Sequence, residues 1–207
     1  MSFSRRLLLG LPLVIAAGRR AALAADAGPA LPAALVERFY SELLAVMKEA
    51  KRLSFDERYN RLAPTIARTF DLGLMTRIAV GPGWTQLGAD QQQRVTAAFS
   101  RYTISNYASR FDDFGGERFE VSPAPTSNAN GVIVNSRLVK TSGEAVTLNY
   151  LVRNEGGAGW KVIDVYLSGT VSELATRRSE FVAVLQRSGA EGLVRMIDEK
   201  SAALRAG

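Results

Sequence analysis

The sequence predicts an α+β fold of a curved antiparallel sheet of about four strands covered by N- and C-terminal helices. Three observations predict it. Apolar residues recur at helical spacing up to Gly115-Gly116, they alternate with polar ones from there to Leu167, and the helical spacing returns after Val171. Helices followed by a run of strands and then more helices is α+β order, with helices packed on one face of the sheet. A cone of this kind is either filled or hollow, and a hollow one holds a largely apolar ligand between sheet and helices.

The elements follow in order along the chain. Leu31 to Ala50 carries Leu35, Phe39, Leu43 and Val46/Met47 on one helical face. Ser54 with Glu57 three residues on is a capping-box start, and Tyr59, Leu62, Ile66 and Phe70 continue the face, with Pro64 a point of kinking or splitting. Asp71 to Val80 is a short third helix, ended by Gly81-Pro82-Gly83. Asp90 to about Phe111 is long and presents Val95, Phe99, Tyr102, Ile104, Tyr107/Ala108 and Phe111.

Runs near 117–122, 131–140, 144–153 and 159–167 then alternate, separated by Ser, Asn, Gly and Pro clusters, which makes an antiparallel meander. In the third run Val146, Leu148, Tyr150 and Val152 share one face, and Thr147, Asn149 and Arg153 the other. Val171, Leu174, Arg178/Phe181 and Leu185 form a helical stripe stopped at Ser188-Gly189, and Leu193, Val194, Ile197 and Leu204 mark the last helix. No linker or repeat divides residues 25–207, which read as a single domain.

Composition narrows function. The chain has no histidine and no cysteine, which removes the commonest general base, the commonest metal ligand and the thiol nucleophile. No metal site, cofactor or catalytic residue is therefore expected. Residues 1–24 have the build of a cleaved export signal: Arg5-Arg6, an apolar run from Leu7 to Ala17, and small residues around Ala22-Leu23-Ala24. That run is short of the roughly 18 apolar residues needed to span a bilayer. Ser4-Arg5-Arg6-Leu7-Leu8-Leu9 leaves the general secretory and twin-arginine routes both open. The expected location is the periplasm. The signal carries four arginines and no acid, so the remaining chain has 22 Lys+Arg against 20 Asp+Glu, and the overall excess of base belongs mainly to the leader. No basic block interleaved with aromatics suggests a nucleic-acid partner.

Several sequence features then combine in order over roughly residues 33–203. They are Phe70-Asp71 with Met75, Trp84 after the Gly-Pro-Gly turn, Gln92-Gln93-Arg94 with Phe99 and Tyr102, and Tyr150-Leu151. Next come Trp160-Lys161-Val162-Ile163-Asp164-Val165, Gly169, and Arg178 with Phe181. With these the chain resembles the toluene-tolerance family of periplasmic phospholipid-binding proteins typified by MlaC. Gly169-Thr170-Val171-Ser172-Glu173-Leu174 stands where that pattern usually has a Gly-Val-Ser step, and it looks more like the hopanoid-biosynthesis-associated HpnM subgroup. The resemblance implies a soluble carrier in an ABC-type lipid transport system, with phospholipid or hopanoid as cargo between inner and outer membranes. Its partners would be the lipid and membrane-bound transport complexes, and nothing in the sequence demands more than a monomer.

Phe70, Met75, Ile78, Trp84, Phe99, Tyr102, Leu148 and Tyr150 either line an acyl-chain pocket or fill a core. Asp164, flanked by Ile163 and Val165, needs a partner if buried; Arg178, Arg153 or a backbone donor could supply it as a structural tie. Arg177-Arg178 could meet phosphate head groups. Two rival readings remain: a membrane-lipid-modifying enzyme using Asp164 with Tyr150 or Tyr166, and a non-catalytic adaptor with a filled core.

Overall fold

The computed structural model describes residues 32–207 except 155, 157 and 158. The expected signal segment 1–24 lies outside the described residues.

The first helix, α1 (Pro32–Glu49), buries Val36, Phe39, Tyr40, Leu43, Val46 and Met47 along the stripe its sequence marks. A 3₁₀ turn at Ala50–Arg52 leads to α2 (Phe55–Thr69). There the Ser54 hydroxyl accepts from the Glu57 N–H at 3.3 Å, and the Glu57 carboxylate accepts from the Ser54 N–H at 2.7 Å, satisfying two donors the first turn would otherwise leave open. Pro64 does not split α2. Its missing N–H frees a carbonyl at exposed Asn60, where solvent can take it. Asp71 caps α3 (Leu72–Val80) by accepting from Leu74 N–H at 2.9 Å. Gly81 ends it at φ 70°, a conformation that favours glycine, and a 3₁₀ turn over Gly81–Gln86 follows. The long α4 (Ala89–Arg110) buries Val95, Ala98, Phe99, Thr103, Ile104, Ser105 and Ala108.

The sheet has seven strands rather than about four. They are β1 (Arg118–Val121), β2 (Thr126–Asn128), β3 (Gly131–Val134), β4 (Ser136–Val139), β5 (Ala145–Asn154), β6 (Trp160–Leu167) and β7 (Val171–Ser172). The meander is antiparallel, but its outer strands are broken. β3 and β4 pair end to end along the same side of β5, and they pair on their other side with β2 and β1 respectively. The break falls at Asn135, and side chains close it: Ser136 N–H donates to the Asn149 side-chain oxygen at 3.2 Å, and the Ser136 hydroxyl donates to the Leu148 carbonyl. β6 completes the other side of β5, with the register slipping at Ile163 so that Leu151 faces Asp164 and Val152 faces Val162. A bulge of this kind bends the strand. An isolated bridge joins Phe70 to Val162, which ties the α2–α3 corner to β6.

β6 is the central wall: α1, α2, α3 and α5 all touch it, and its residues 162–165 are buried. Ser172 caps α5 (Glu173–Ala206), accepting from Ala175 N–H at 2.9 Å. Gly189, at φ 63° and ψ −170°, breaks α5 where the sequence shows Ser188-Gly189. The core is continuous between helices and sheet. Phe39, Tyr150 and Phe181 are each 1% exposed, and burial of such side chains stabilises by about 1.5–3 kcal/mol apiece.

Candidate functional site

A cavity of about 90 Å³ lies between the inner faces of β5 and β6 and the helices α3, α4 and the start of α5. Six of the eight residues expected at a pocket line it: Phe70, Met75, Phe99, Tyr102, Leu148 and Tyr150. Ile78 and Trp84 do not. Both are half-buried and pack against the core from outside, Ile78 near the end of α3 and Trp84 in the 3₁₀ turn, where its carbonyl accepts from Gln92 at 3.1 Å. The cavity also takes in residues that a search for apolar positions passes over. Thr103, Asn106 and Arg110 continue the Phe99 and Tyr102 face of α4 at helical spacing, and Glu173 and Arg177 enter from the first turns of α5. The periodicity of α4 was the signal that could have found the first set.

The deep end is aromatic. Phe70 meets Phe39 edge-on at 5.2 Å, Tyr107 at 5.7 Å and Tyr150 at 6.5 Å between ring centres. The phenols of this end act on one another. Tyr150 sits between Tyr107 and Tyr40, and Tyr40 shares a 2.6 Å hydrogen bond with Ser136, which reaches the Leu148 carbonyl across the strand break. Burial pushes the Tyr40 phenol up to about 12, against smaller opposing effects of its hydrogen bonds to Ser136 and Tyr150, and it holds Tyr107 and Tyr150 well above the ordinary tyrosine value too. These phenols stay neutral and act as hydrogen-bonding struts behind the apolar surface.

The shallow end is polar and partly solvated. Arg177 donates to the Glu173 carboxylate and, at 2.8 Å, to the Glu173 carbonyl, while the two side chains are only 15% and 19% exposed. The Arg177 guanidinium also lies 5.3 Å from the centre of the Tyr102 ring and 3.4 Å from its hydroxyl. Burial alone would lower the Arg177 pKa, but Glu173 and Tyr102 more than offset it, and the guanidinium is held more firmly charged than usual. Arg110 and Asn106 complete this rim.

Among the described residues Asp164 makes no salt bridge to an arginine. Its carboxylate accepts from Val165 N–H at 2.8 Å, from the Ser172 hydroxyl at 2.5 Å and, more weakly, from Leu174 N–H at 3.4 Å. The strand is thereby tied to the N-terminus of α5 through backbone donors and a hydroxyl, a favourable place for a carboxylate. Arg178 is not its partner: it donates twice to the Ile78 carbonyl, at 2.8 and 3.1 Å, and lies over Gly81, so it ties α5 to the end of α3. Arg153 donates to the Asn130 carbonyl. Neither Tyr150 nor Tyr166 hydrogen-bonds Asp164 among these contacts.

Among the described residues no group of three or more His, Cys, Asp or Glu side chains could hold a metal ion, and no helix is long and apolar enough to cross a membrane. A family model described as MlaC protein matches residues 37–199. The chain also matches a solved structure of a phospholipid-binding protein from Ralstonia solanacearum in complex with a phospholipid, with a TM-score of 0.73 and 28% identity over 84% of this chain and 98% of that one. No curated protein matches the chain.

Proposed function

The chain belongs to the MlaC family, and on that premise we propose that it is a lipid carrier that holds acyl tails or a similar apolar body between its sheet and its helices. The observation that carries this reading is the apolar cavity at the sheet–helix seam, in a fold shared with a protein whose structure contains a phospholipid. A cavity of about 90 Å³ is smaller than the roughly 300–1,000 Å³ of ordinary ligand pockets, so cargo enters by parting α3, α4 and the start of α5 from β5 and β6. Parting them exposes apolar walls that the lipid then covers. Each buried methylene is worth roughly 0.8 kcal/mol, which sets how strongly an acyl chain in water favours such a wall.

Carriage requires no chemical step, and the geometry supports a binder over an enzyme. Asp164, the acid an enzyme reading would use, is occupied by backbone N–H groups and Ser172 in a structural corner. The export-signal pattern of residues 1–24 supports a periplasmic location, and the Gly169–Leu174 segment supports the hopanoid-associated subgroup. The role is then that of the soluble component of an ABC-type lipid transport system, moving phospholipid or hopanoid between membranes.

Native mass spectrometry of the mature protein, purified from its own periplasm without detergent, tests this. A discrete added mass of lipid size is expected, and its value separates phospholipid from hopanoid. Bare protein throughout would overturn the carrier reading.

A further inference from the structure

The rim of the cavity carries more charge than closure needs. Arg110, Glu173 and Arg177, with the Asn106 amide and the Tyr102 phenol, gather at the solvent end of a pocket whose depth is aromatic and aliphatic. Among the described residues most salt bridges join side chains at least a third exposed, whereas Glu173 and Arg177 are withdrawn to 19% and 15%. Withdrawing a charge pair from water costs desolvation that apolar residues would avoid, so a rim built only to shut the pocket would not use one. The second cation, Arg110, bears on the same spot: Arg110 and Glu173 both act electrostatically on the Tyr107 hydroxyl.

Resting on the lipid-carrier reading above, we propose that this rim binds a zwitterionic phospholipid head group, its phosphate taken by Arg177 and Arg110 and its primary ammonium by Glu173. The Glu173–Arg177 pair exchanges partners when such a lipid enters, and every charge stays paired. A guanidinium matches phosphate oxygens two at a time, and an ammonium has three donors for the carboxylate and the neighbouring phenol and amide. An anionic head group without an amine leaves Glu173 beside a phosphate with nothing between them. A quaternary ammonium cannot donate to the carboxylate. A lipid with no phosphate leaves the pair closed.

The test is uptake by the mature protein, stripped of lipid, from vesicles holding equal amounts of phosphatidylethanolamine, phosphatidylglycerol, phosphatidylcholine and diacylglycerol with identical acyl chains, read by native mass spectrometry. Phosphatidylethanolamine is expected to be enriched roughly fivefold over phosphatidylglycerol and phosphatidylcholine, the worth of one charge-assisted hydrogen bond at a partly solvated site. Glu173→Gln should abolish that enrichment, so that the three phospholipids load in the ratio supplied. Arg110→Gln changes an exposed side chain on α4 and so spares the fold. It should lower all three phospholipids against diacylglycerol by about threefold, roughly the worth of one partly solvated charge contact. Loading of the four lipids in the ratio supplied, or enrichment that survives Glu173→Gln, overturns the head-group proposal and leaves carriage standing. No lipid uptake at all by the unaltered protein overturns the carrier reading itself.

Discussion

Filling the cavity should separate folding from cargo binding, and Val165→Phe is the substitution to do it. Val165 lies on β6, is 9% exposed and lines the cavity, and an aromatic ring is well suited to a strand. At about 24 cal/mol per Å³, a cavity of about 90 Å³ withholds on the order of 2 kcal/mol from the lipid-free fold. Overpacking a core costs about 1–3 kcal/mol, so the ring's gain and strain nearly cancel and the lipid-free variant should match the parent within about 1 kcal/mol. Lipid changes the comparison. A ligand at 100 times its dissociation constant stabilises by about 2.7 kcal/mol, which for a domain of this size raises Tm by roughly 5–10 °C. Thermal denaturation with and without phospholipid vesicles should show that rise in the parent and at most a third of it in Val165→Phe. Two results would refute the reasoning. A lipid-free loss well beyond 3 kcal/mol would mean that the space beside Val165 is not spare, and a full lipid-induced rise in the variant would mean that the tails lie elsewhere.

Three further outcomes are expected of the protein. Gly131→Ala should destabilise by about 2–4 kcal/mol in chemical denaturation, because φ is 143° and an added Cβ would meet the Val152 carbonyl at 2.6 Å, on backbone that cannot turn aside. Burial raises the Asp164 pKa despite the hydrogen bonds from Ser172, Val165 and Leu174. The folded chain therefore holds this proton more tightly than the unfolded chain, and the contribution falls as pH rises from the ordinary carboxylate range through the raised value. Asp164→Asn should remove that downward slope from a Tm-versus-pH profile while costing about 1 kcal/mol in lost acceptors; an unchanged slope would contradict the assignment. In alkaline titration followed by phenolate absorbance, Tyr40, Tyr107 and Tyr150 should remain protonated past the ordinary tyrosine value of 10. Stability should fall as pH rises from 10 through about 12, and early ionisation of all six tyrosines in the folded state would show that these phenols are not buried as the structure has them.

Local chemistry in the sequence accounts for much of the fold. Helix faces, the Ser54–Glu57 box, the stops at Gly81 and Gly189 and the alternation in β5 and β6 depend on neighbours within one or two turns or along one strand, so periodicity reveals them. Strand number was less legible. The break at Asn135 is held by Asn149 and by Ser136 reaching Leu148, contacts that span a hairpin and leave no mark on the alternation of residues 131–140. For the same reason Pro64 gave a stronger warning than it deserved: its cost depends on whether Asn60 faces solvent.

By itself the sequence determined an α+β chain with helices over one face of an antiparallel meander, without histidine or cysteine to do chemistry, and with a set of large apolar residues suited to lining a pocket or filling a core. Tertiary structure alone decided which of them surround a cavity, admitting Tyr107, Val165 and Leu174 and leaving out Ile78 and Trp84. It also decided that Asp164 joins Ser172 and that Arg178 joins Ile78, while Arg177 and Glu173 turn to the rim. The physical reason is one of range. Periodicity records which face of an element is apolar, whereas a cavity and a charge pair are made where three or four elements meet, at distances along the chain that no local pattern carries.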